Sequence, residues 1–388
     1  MTTKLERISE LSKQHPEMKF NSIGHLINIE MLKECHYKMD GRKAVGIDGI
    51  SKEEYNSNLD NNLKQLVEKL KNKSYRPKPA RKVEIPKENG KTRPLSIYSY
   101  EDKLVQEALR KVLESVFEPH FYSNMCGFRP NRNCHGAIRK LNDMIEGHKT
   151  NYILDADIKG FFDNINHDVL INILLERIAD ERFIRLIRKF MKAGYIEDWQ
   201  FHNTYSGTPQ GGIISPILAN IYLDKLDKYI KEYTAKFDKG KKRKFSRESM
   251  DFGNARKRIV RRLKFVKDER QRTKLILELK AIEQGRAKYP NGEEMDADYR
   301  RMKYARYADD FLVGIIGSKQ DAQQIKEDIK NFLADRLALE LSDEKTLVTH
   351  TERPAKFLGY EITVRKSNDQ RRDKRGRLRR TYGKRVCL

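Results

Sequence analysis

The chain has 388 residues, with 80 Lys and Arg against 56 Asp and Glu and a net charge of +24. Apolar residues at 38% and aromatic ones at 9% suffice for sizeable cores and exclude a disordered chain, and a prior of roughly 150 residues per domain sets two or three domains. The charge points to a polyanion, nucleic acid foremost, because Lys and Arg displace counterions from a phosphate backbone, and no apolar run reaches the roughly 20 residues of a membrane span.

The N-terminus, MTTKLERISELSKQ, has no apolar stretch of the kind a secretory leader carries. Cys35, Cys126, Cys134 and Cys387 show no C-x-x-C spacing. That excludes an obvious zinc ribbon, gives no sign of a disulfide scaffold and fits a reducing cytoplasm.

In chain order, Leu5, Ile8 and Leu11 repeat every three residues, and Leu26, Ile27, Met31 and Leu32 continue a helical pattern. Gly46-Ile47-Asp48-Gly49 is a turn signal. Ser51 with Glu54 forms a capping box ahead of a helix whose face carries Leu63, Leu66, Val67 and Leu70. Pro77, Pro79, Pro86 and Pro94 forbid a long helix between Tyr75 and Tyr98. There Val83 and Ile85 alternate with Lys82 and Glu84 as in a strand, Glu88-Asn89-Gly90-Lys91 is a hairpin turn, and Arg93 to Ile97 is the return strand. A helix runs from Leu104 through Phe117. Tyr152-Ile153-Leu154 leads a short strand into Asp155-Ala156-Asp157-Ile158, and His167 to about Phe190 is helical. Gly207 to Gly212 is a glycine-rich loop before an apolar helix through Leu223. Residues 232 to about 303 are strongly basic. Ile259, Leu263 and Val266, then Leu275, Leu279 and Ile282, mark two basic helices around a break near Asp268. Phe311-Leu312-Val313 is strand-like, and the tail from Arg365 to Arg385 is dense in Arg and Lys. No repeat of fixed period is present.

Two acidic positions stand out. Asp157 ends an apolar strand, and Asp309-Asp310 separates the basic-aromatic segment Tyr304 to Tyr307 from the apolar run Phe311 to Ile316. Charges flanked by buried strand are costly unless paired or bound to a cation. Brought together in a sheet, three carboxylates suit a hard divalent cation, and on a nucleic-acid binder they suggest two-metal phosphoryl transfer. Alone, Asp157 reads more readily as a turn or cap residue and the Asp309-Asp310 pair equally well as one; the order of the other motifs makes the reading specific.

Tyr307-Ala308-Asp309-Asp310 resembles the YADD box of reverse transcriptases, and Asp155-Ala156-Asp157-Ile158-Lys159-Gly160-Phe161-Phe162-Asp163 resembles their first aspartate motif. The stretch from Gly207-Thr208-Pro209-Gln210-Gly211-Gly212 to Ala219-Asn220 is similar to the motif between them, in the form used by group II intron reverse transcriptases. Gly127-Phe128-Arg129-Pro130 and Gly46-Ile47-Asp48-Gly49 resemble further motifs of that group. The basic insertion ending at Tyr299-Arg300-Arg301 resembles that of its organellar-like subgroup. The matches run in order over about residues 40 to 385.

The resemblance implies an α+β right-hand polymerase with fingers and palm, the palm an antiparallel sheet backed by helices. It divides the chain into an N-terminal extension (1–75), fingers (76–150), palm with fingers elements (151–231), basic helical insertion (232–303), and palm, primer grip and basic tail (304–388). The implied activity is RNA-directed DNA polymerase: a primer 3′-hydroxyl attacks a dNTP on an RNA template. Asp157, Asp309 and Asp310 form the implied catalytic set. Asp157, Asp309 and the carbonyl of Ile158 hold two Mg²⁺ ions, with Mn²⁺ as the alternative, and Asp310 supports them. Lys87 and Arg93 fall on the triphosphate. Phe162 crowds a ribose 2′-hydroxyl, Gln210 lies beside the nucleotide, and Lys345 protonates pyrophosphate. Phe357-Leu358-Gly359-Tyr360 matches the primer-grip turn, and Arg129 and Arg132 meet template phosphates. The implied partners are an RNA template, a DNA primer, dNTPs and structured intron RNA, the last met by the basic helices of 254–287; none is a membrane.

The sequence departs from the group in one respect. Group II intron proteins continue into a helical thumb that is also the maturase domain, and many add a DNA-binding segment and a Cys-rich endonuclease. Here the sequence stops at Leu388 without a Cys/His cluster, which reads as a truncated piece or a thumb supplied by a partner. Rival readings are an RNA-binding maturase fragment and a reverse transcriptase recruited to phage defence. An RNA-dependent RNA polymerase is disfavoured by the bulk of Phe162.

Overall fold

The computed structural model describes residues 2–387 apart from 87–89, 91, 149, 198–199, 209–210, 290, 294, 368–370, 373–377 and 380–382. The chain divides into two compact units, each discontinuous in sequence. The first comprises residues 1–132, 158–228 and 330–341, the second 133–157, 229–329 and 342–388. Among the described residues no helix is long and apolar enough to cross a membrane.

The first unit is organised around the helix Tyr100–Phe117, where Leu104, Val105, Leu109, Val112, Leu113 and Val116 are fully buried at helical spacing. Helices Thr2–Gln14 and Ile29–Lys38 pack on it. The helix starts four residues before the apolar pattern does, because Ser99 caps it by accepting the Asp102 N–H at 3.2 Å. The buried Asp102 carboxylate in turn accepts from the Ser99 hydroxyl at 2.6 Å, the Lys78 N–H at 3.0 Å and the Tyr75 hydroxyl, so the cap also fastens the incoming chain.

The proline-rich stretch enters a four-stranded sheet in the order Thr92–Ile97, Ala80–Pro86, Tyr195–Glu197, Gln200–His202. The first pair is the antiparallel pair read from the sequence, with Arg81 opposite Ile97 and Pro86 opposite Thr92, while Glu88, Asn89 and Lys91 of the expected turn lie outside the described residues. The next pair is parallel, Ala80 lying against Tyr195. The helical stretch after His167 is two helices, His167–Leu175 and Glu181–Met191. Asp180 makes the break. Its carboxylate caps the second helix through the Arg182 and Phe183 N–H groups, and it also accepts from the Ile23 and Gly24 N–H groups at 2.9 and 2.8 Å.

The second unit holds an antiparallel sheet in the order Arg301–Tyr307, Asp310–Ile316, Tyr152–Ala156, Leu347–His350. The strand Asp310–Ile316 is buried from Phe311 onward, as expected of a strand covered on both faces. The helix Cys134–His148 packs against it and its neighbour. A second sheet joins Ala355–Phe357, Tyr360–Ser367 and Gly383–Cys387. The basic segment forms two helices, Arg247–Leu263 and Glu269–Ala287, with their break near Asp268 as the sequence predicts, and Asp268 caps the second. Mixed helix and antiparallel sheet thus bear out the α+β reading.

Candidate active site

Strand register assembles the acidic cluster. Ala156 pairs with Phe311, so the next residue on one strand, Asp157, and the preceding one on the other, Asp310, meet at the same end of the sheet. Tyr307 pairs with Asp310, which leaves Ala308 and Asp309 as a two-residue turn. Asp155 lies two residues before Asp157 and so shares its face. The charges feel one another. Burial first, then Asp309 and Asp157, push the Asp310 carboxyl up to about 6, while Lys345 works the other way. Burial, Asp310 and Asp157 push Asp155 up to about 7, opposed by the backbone N–H of Lys356.

The turn carrying Asp309 is held from below by a residue that sequence reasoning missed. Ala308 has φ +58°, a left-handed conformation that costs an L-residue about 1–2 kcal/mol. The Arg306 guanidinium donates to the Ala308 carbonyl at 2.7 Å. Arg306 continues the core face of Met302 and Tyr304, all three buried, and pairs across the sheet with Phe311. The available signal was a lone cation at a position that strand alternation assigns to an apolar side chain.

The loop after Leu341 closes the other side of Asp157. The Ser342 N–H donates to the Asp157 carbonyl at 2.8 Å, and the Thr346 N–H returns to the Ser342 carbonyl at 2.8 Å. This tight turn brings the Lys345 ammonium to 3.0 Å from Asp157 Oδ2 while leaving most of the lysine exposed. The structure therefore joins Lys345 to Asp157 across 188 residues of chain.

The donors at this sheet end are all oxygens, and the raised carboxyls show repulsion that a cation would relieve, so a hard divalent ion fits them. The three carboxylates read from the sequence share one end of the sheet without closing into a cage: among the described residues no three His, Cys, Asp or Glu side chains form a group able to hold a metal by themselves. Mg²⁺ commonly keeps waters and takes phosphate oxygens beside one or two carboxylates, so a smaller protein share suffices. Ile158 makes an antiparallel bridge with Leu341.

The turn Phe357 to Tyr360, expected from the sequence to grip a primer, is also in the second unit. Phe357 pairs with Tyr360, and Leu358 and Gly359 form the turn with φ +53° and +82°. Two positive φ values match the twist of a tight hairpin. Phe357 is buried and Tyr360 exposed. The Lys356 N–H bonds the Asp155 carboxylate, which ties this hairpin to the acidic strand.

Two other expected positions, Arg93 and Phe162, lie beside the glycine-rich loop within the first unit. Arg93 lies exposed on the strand Thr92–Ile97, opposite Ile85. Phe162 is half-buried in the short helix Phe161–Asn164, edge-on to Phe161 at 5.3 Å, and its carbonyl accepts the Thr208 N–H at 2.8 Å. Gly207 and Gly211 have φ +83° and +104°. A Cβ on Gly207 would lie 2.6 Å from the Phe162 carbonyl oxygen, and one on Gly211 2.5 Å from that of Ser96. The glycine-rich loop is thus wedged between the Phe162 helix and the strand carrying Arg93, where only glycine fits. Burial raises the pKa of the neighbouring Asp163, with Lys82 and Arg93 opposing. Lys87 and Gln210 lie outside the described residues.

Arg129 requires a correction. Its side chain is only 4% exposed and lies 2.7 Å from Glu118. It also donates to the Tyr122 and Met125 carbonyls at 2.8 and 3.1 Å and covers the Phe121 ring. It is an internal clamp, not an exposed phosphate contact, because a planar guanidinium satisfies several buried acceptors at once. Arg132 is half-buried and bonds the Ser123 carbonyl.

An antiparallel sheet with an aspartate at one strand end facing an acidic hairpin turn defines a polymerase-like class, and the chain belongs to the reverse transcriptase (RNA-dependent DNA polymerase) family, which matches residues 85–252 and 285–362. Several of the proteins it is similar to are intron-encoded. It is 40% identical to the Group II intron-encoded protein LtrA of Lactococcus lactis subsp. cremoris over 98% of this chain and 63% of LtrA. It is 36% identical to the Putative COX1/OXI3 intron 1 protein of Saccharomyces cerevisiae over 89% of this chain and 40% of that protein. It is 33% identical to Protein YkfC of Escherichia coli over 84% of this chain and 78% of YkfC. The chain thus spans less than two thirds of the length of LtrA and of the yeast protein.

Proposed function

We propose that the chain is an RNA-directed DNA polymerase that adds dNTPs to a primer 3′-hydroxyl on an RNA template. The observation that supports this most is the acidic sheet end, where Asp157 faces Asp310 across the register, Asp309 occupies the adjoining turn and Lys345 reaches Asp157. In this reading the second unit's four-stranded sheet is the palm, and the hairpin carrying Arg93 belongs to the fingers. Asp157, Asp309 and the Ile158 carbonyl hold two divalent ions, Mg²⁺ by preference, with Asp310 in support. Bound there, such ions would activate the primer hydroxyl and offset charge on the phosphates.

The chain's own side chains supply the rest. Arg93, with Lys87, orients and neutralises the triphosphate through its planar fork. Phe162 crowds the ribose 2′ position and admits dNTPs over rNTPs, and Gln210 flanks the nucleotide. Lys345 delivers a proton to the departing pyrophosphate. The turn Phe357-Leu358-Gly359-Tyr360 holds the primer, Arg132 meets template phosphate, and the basic helices meet structured intron RNA.

Primer extension on an RNA template with Mg²⁺ and dNTPs tests the reading. Wild type extends, and Asp309→Ala falls by roughly 10³-fold, the scale on which an electrostatic group aimed at the reacting centre matters. Extension by Asp309→Ala at the wild-type rate contradicts the site. A second reading, RNA binding in intron splicing without synthesis, is supported by the intron-encoded names of LtrA and the yeast relative. It is favoured if wild type binds intron RNA but extends no primer.

A further inference from the structure

The basic helical hairpin carries a feature that synthesis does not use. Its base is fastened: Phe245 bridges Gly292, the Ser249 hydroxyl bonds the Asn291 side chain at 3.1 Å, and the Phe252 and Tyr289 rings meet at 5.7 Å. From there the helices pack chiefly on each other, with Ile259 and Leu275 buried in the seam. Toward the tip this seam supplies the apolar interior, and the outer surface is cationic. Residues 256 to 274 hold ten Lys and Arg against Asp268 and Glu269.

Arg256 pairs with Glu283 at 3.3 Å. Among the described residues none of the other nine pairs with a carboxylate. Asp268 is engaged in capping, its oxygens accepting the Arg270 and Gln271 N–H groups. In the middle of this field, at the turn between the helices, Phe265 is 79% exposed, its N–H bonded to the Arg262 carbonyl. A single exposed apolar residue is ordinary. An exposed ring on the turn, with Arg261, Arg262, Arg270 and Arg272 close to it in sequence, offers more: a flat face for a base among forks that fit phosphate oxygens.

We propose that the hairpin tip is a recognition point for RNA presenting an unpaired base beside a helical stem, with Phe265 stacking on the base and the surrounding arginines meeting the flanking phosphates. Duplex nucleic acid offers the phosphates but no free base face, whereas bulges and loops in structured RNA offer both. An acidic protein surface would match the charge but gives no reason for the ring. The proposal rests on the nucleic-acid reading of the chain and not on its polymerase chemistry.

The test uses the full chain and two RNA probes, a stem-loop with one bulged adenosine and the same stem fully paired, over a range of salt concentrations. Wild type should prefer the bulged probe by about tenfold, the scale of one stacked base. Phe265→Ala should abolish the preference with an unchanged salt slope, and Phe265→Trp should keep it. Replacing Arg261, Arg262, Arg270 and Arg272 by Gln should weaken both probes and flatten the salt slope by about three, at 0.7–0.9 per lost phosphate contact. Equal binding of both probes by wild type, a preference surviving in Phe265→Ala, or an unchanged slope in the arginine variant overturns the proposal. All the substituted positions are exposed, and circular dichroism confirms that the helices persist. Primer extension on an unstructured template is run in parallel. Its failure in wild type counts against the polymerase alone, because the probe preference is read without nucleotides.

Discussion

The acidic end of the sheet and the basic tip of the hairpin, both in the second unit, gather like charges by different means. At the sheet end the carboxylates are half-buried and fixed by strand register and a two-residue turn, and burial together with mutual repulsion raises two of the carboxyls to about 6 and 7. At the tip the cations are exposed on helices, where water screens them and little backbone geometry is needed. Burial therefore makes the first cluster sensitive to small displacements, and exposure makes the second additive and sensitive to salt. The first suits small divalent ions, the second a long polyanion.

Lys345 lies between the two regimes and gives the largest effect expected of a residue outside the acidic cluster. Lys345→Ala should slow nucleotide addition by about 10²-fold, the lower range for losing a positioned proton donor. Its melting temperature should stay unchanged, because an exposed pair such as Lys345–Asp157 contributes only about 0.2–1 kcal/mol. A stability loss equal to the activity loss would make the lysine structural and blur the contrast.

Arg306 sharpens the geometric half of the comparison. Arg306→Lys keeps the charge but loses the fork that reaches the Ala308 carbonyl. Addition should slow by about tenfold, as expected when reacting groups shift by a fraction of an ångström. Ala308→Gly should restore part of the rate when combined with Arg306→Lys, because glycine adopts the positive φ without strain. Independent, additive effects of the two substitutions would remove the coupling.

Asp180 is the counterexample among buried carboxylates and gives the smallest effect on catalysis. Burial raises its pKa, but four backbone N–H donors outweigh that and hold it below the usual carboxylate range. The stabilisation is present above an unfolded pKa of 3.8 and is lost as pH falls through the lower folded value. Asp180→Ala should cost about 2 kcal/mol at pH 7 with the rate per folded molecule unchanged. In urea titrations the gap to wild type should close as pH falls below about 4. A gap independent of pH would contradict the assignment.

The sequence exposed what is local or periodic. The Ala80–Pro86 hairpin, the strands around Asp157 and Asp310 and the two basic helices follow from alternation, turn residues and apolar spacing. It hid what depends on distant chain. The Asp180 break uses N–H groups 156 and 157 residues away, so the two helices read as one stretch. Arg129 looked like a free cation in a loop motif until Glu118 and two carbonyls enclosed it. Lys345 was a loose match in a polar turn, and only folding brings it to Asp157. Arg306 shows the limit of alternation: the pattern marks the core-facing position but does not say that a buried guanidinium will clamp a turn there.

The central claim is that repulsion among the carboxylates at the sheet end is there for a divalent cation to relieve. Titrating the full chain with Mn²⁺, followed by the paramagnetic resonance of the free ion and without nucleic acid or nucleotide, tests it directly. Wild type should remove Mn²⁺ from solution, and the double variant Asp157→Asn, Asp309→Asn should lose this binding while remaining folded. Equal Mn²⁺ binding by the two proteins would contradict the claim.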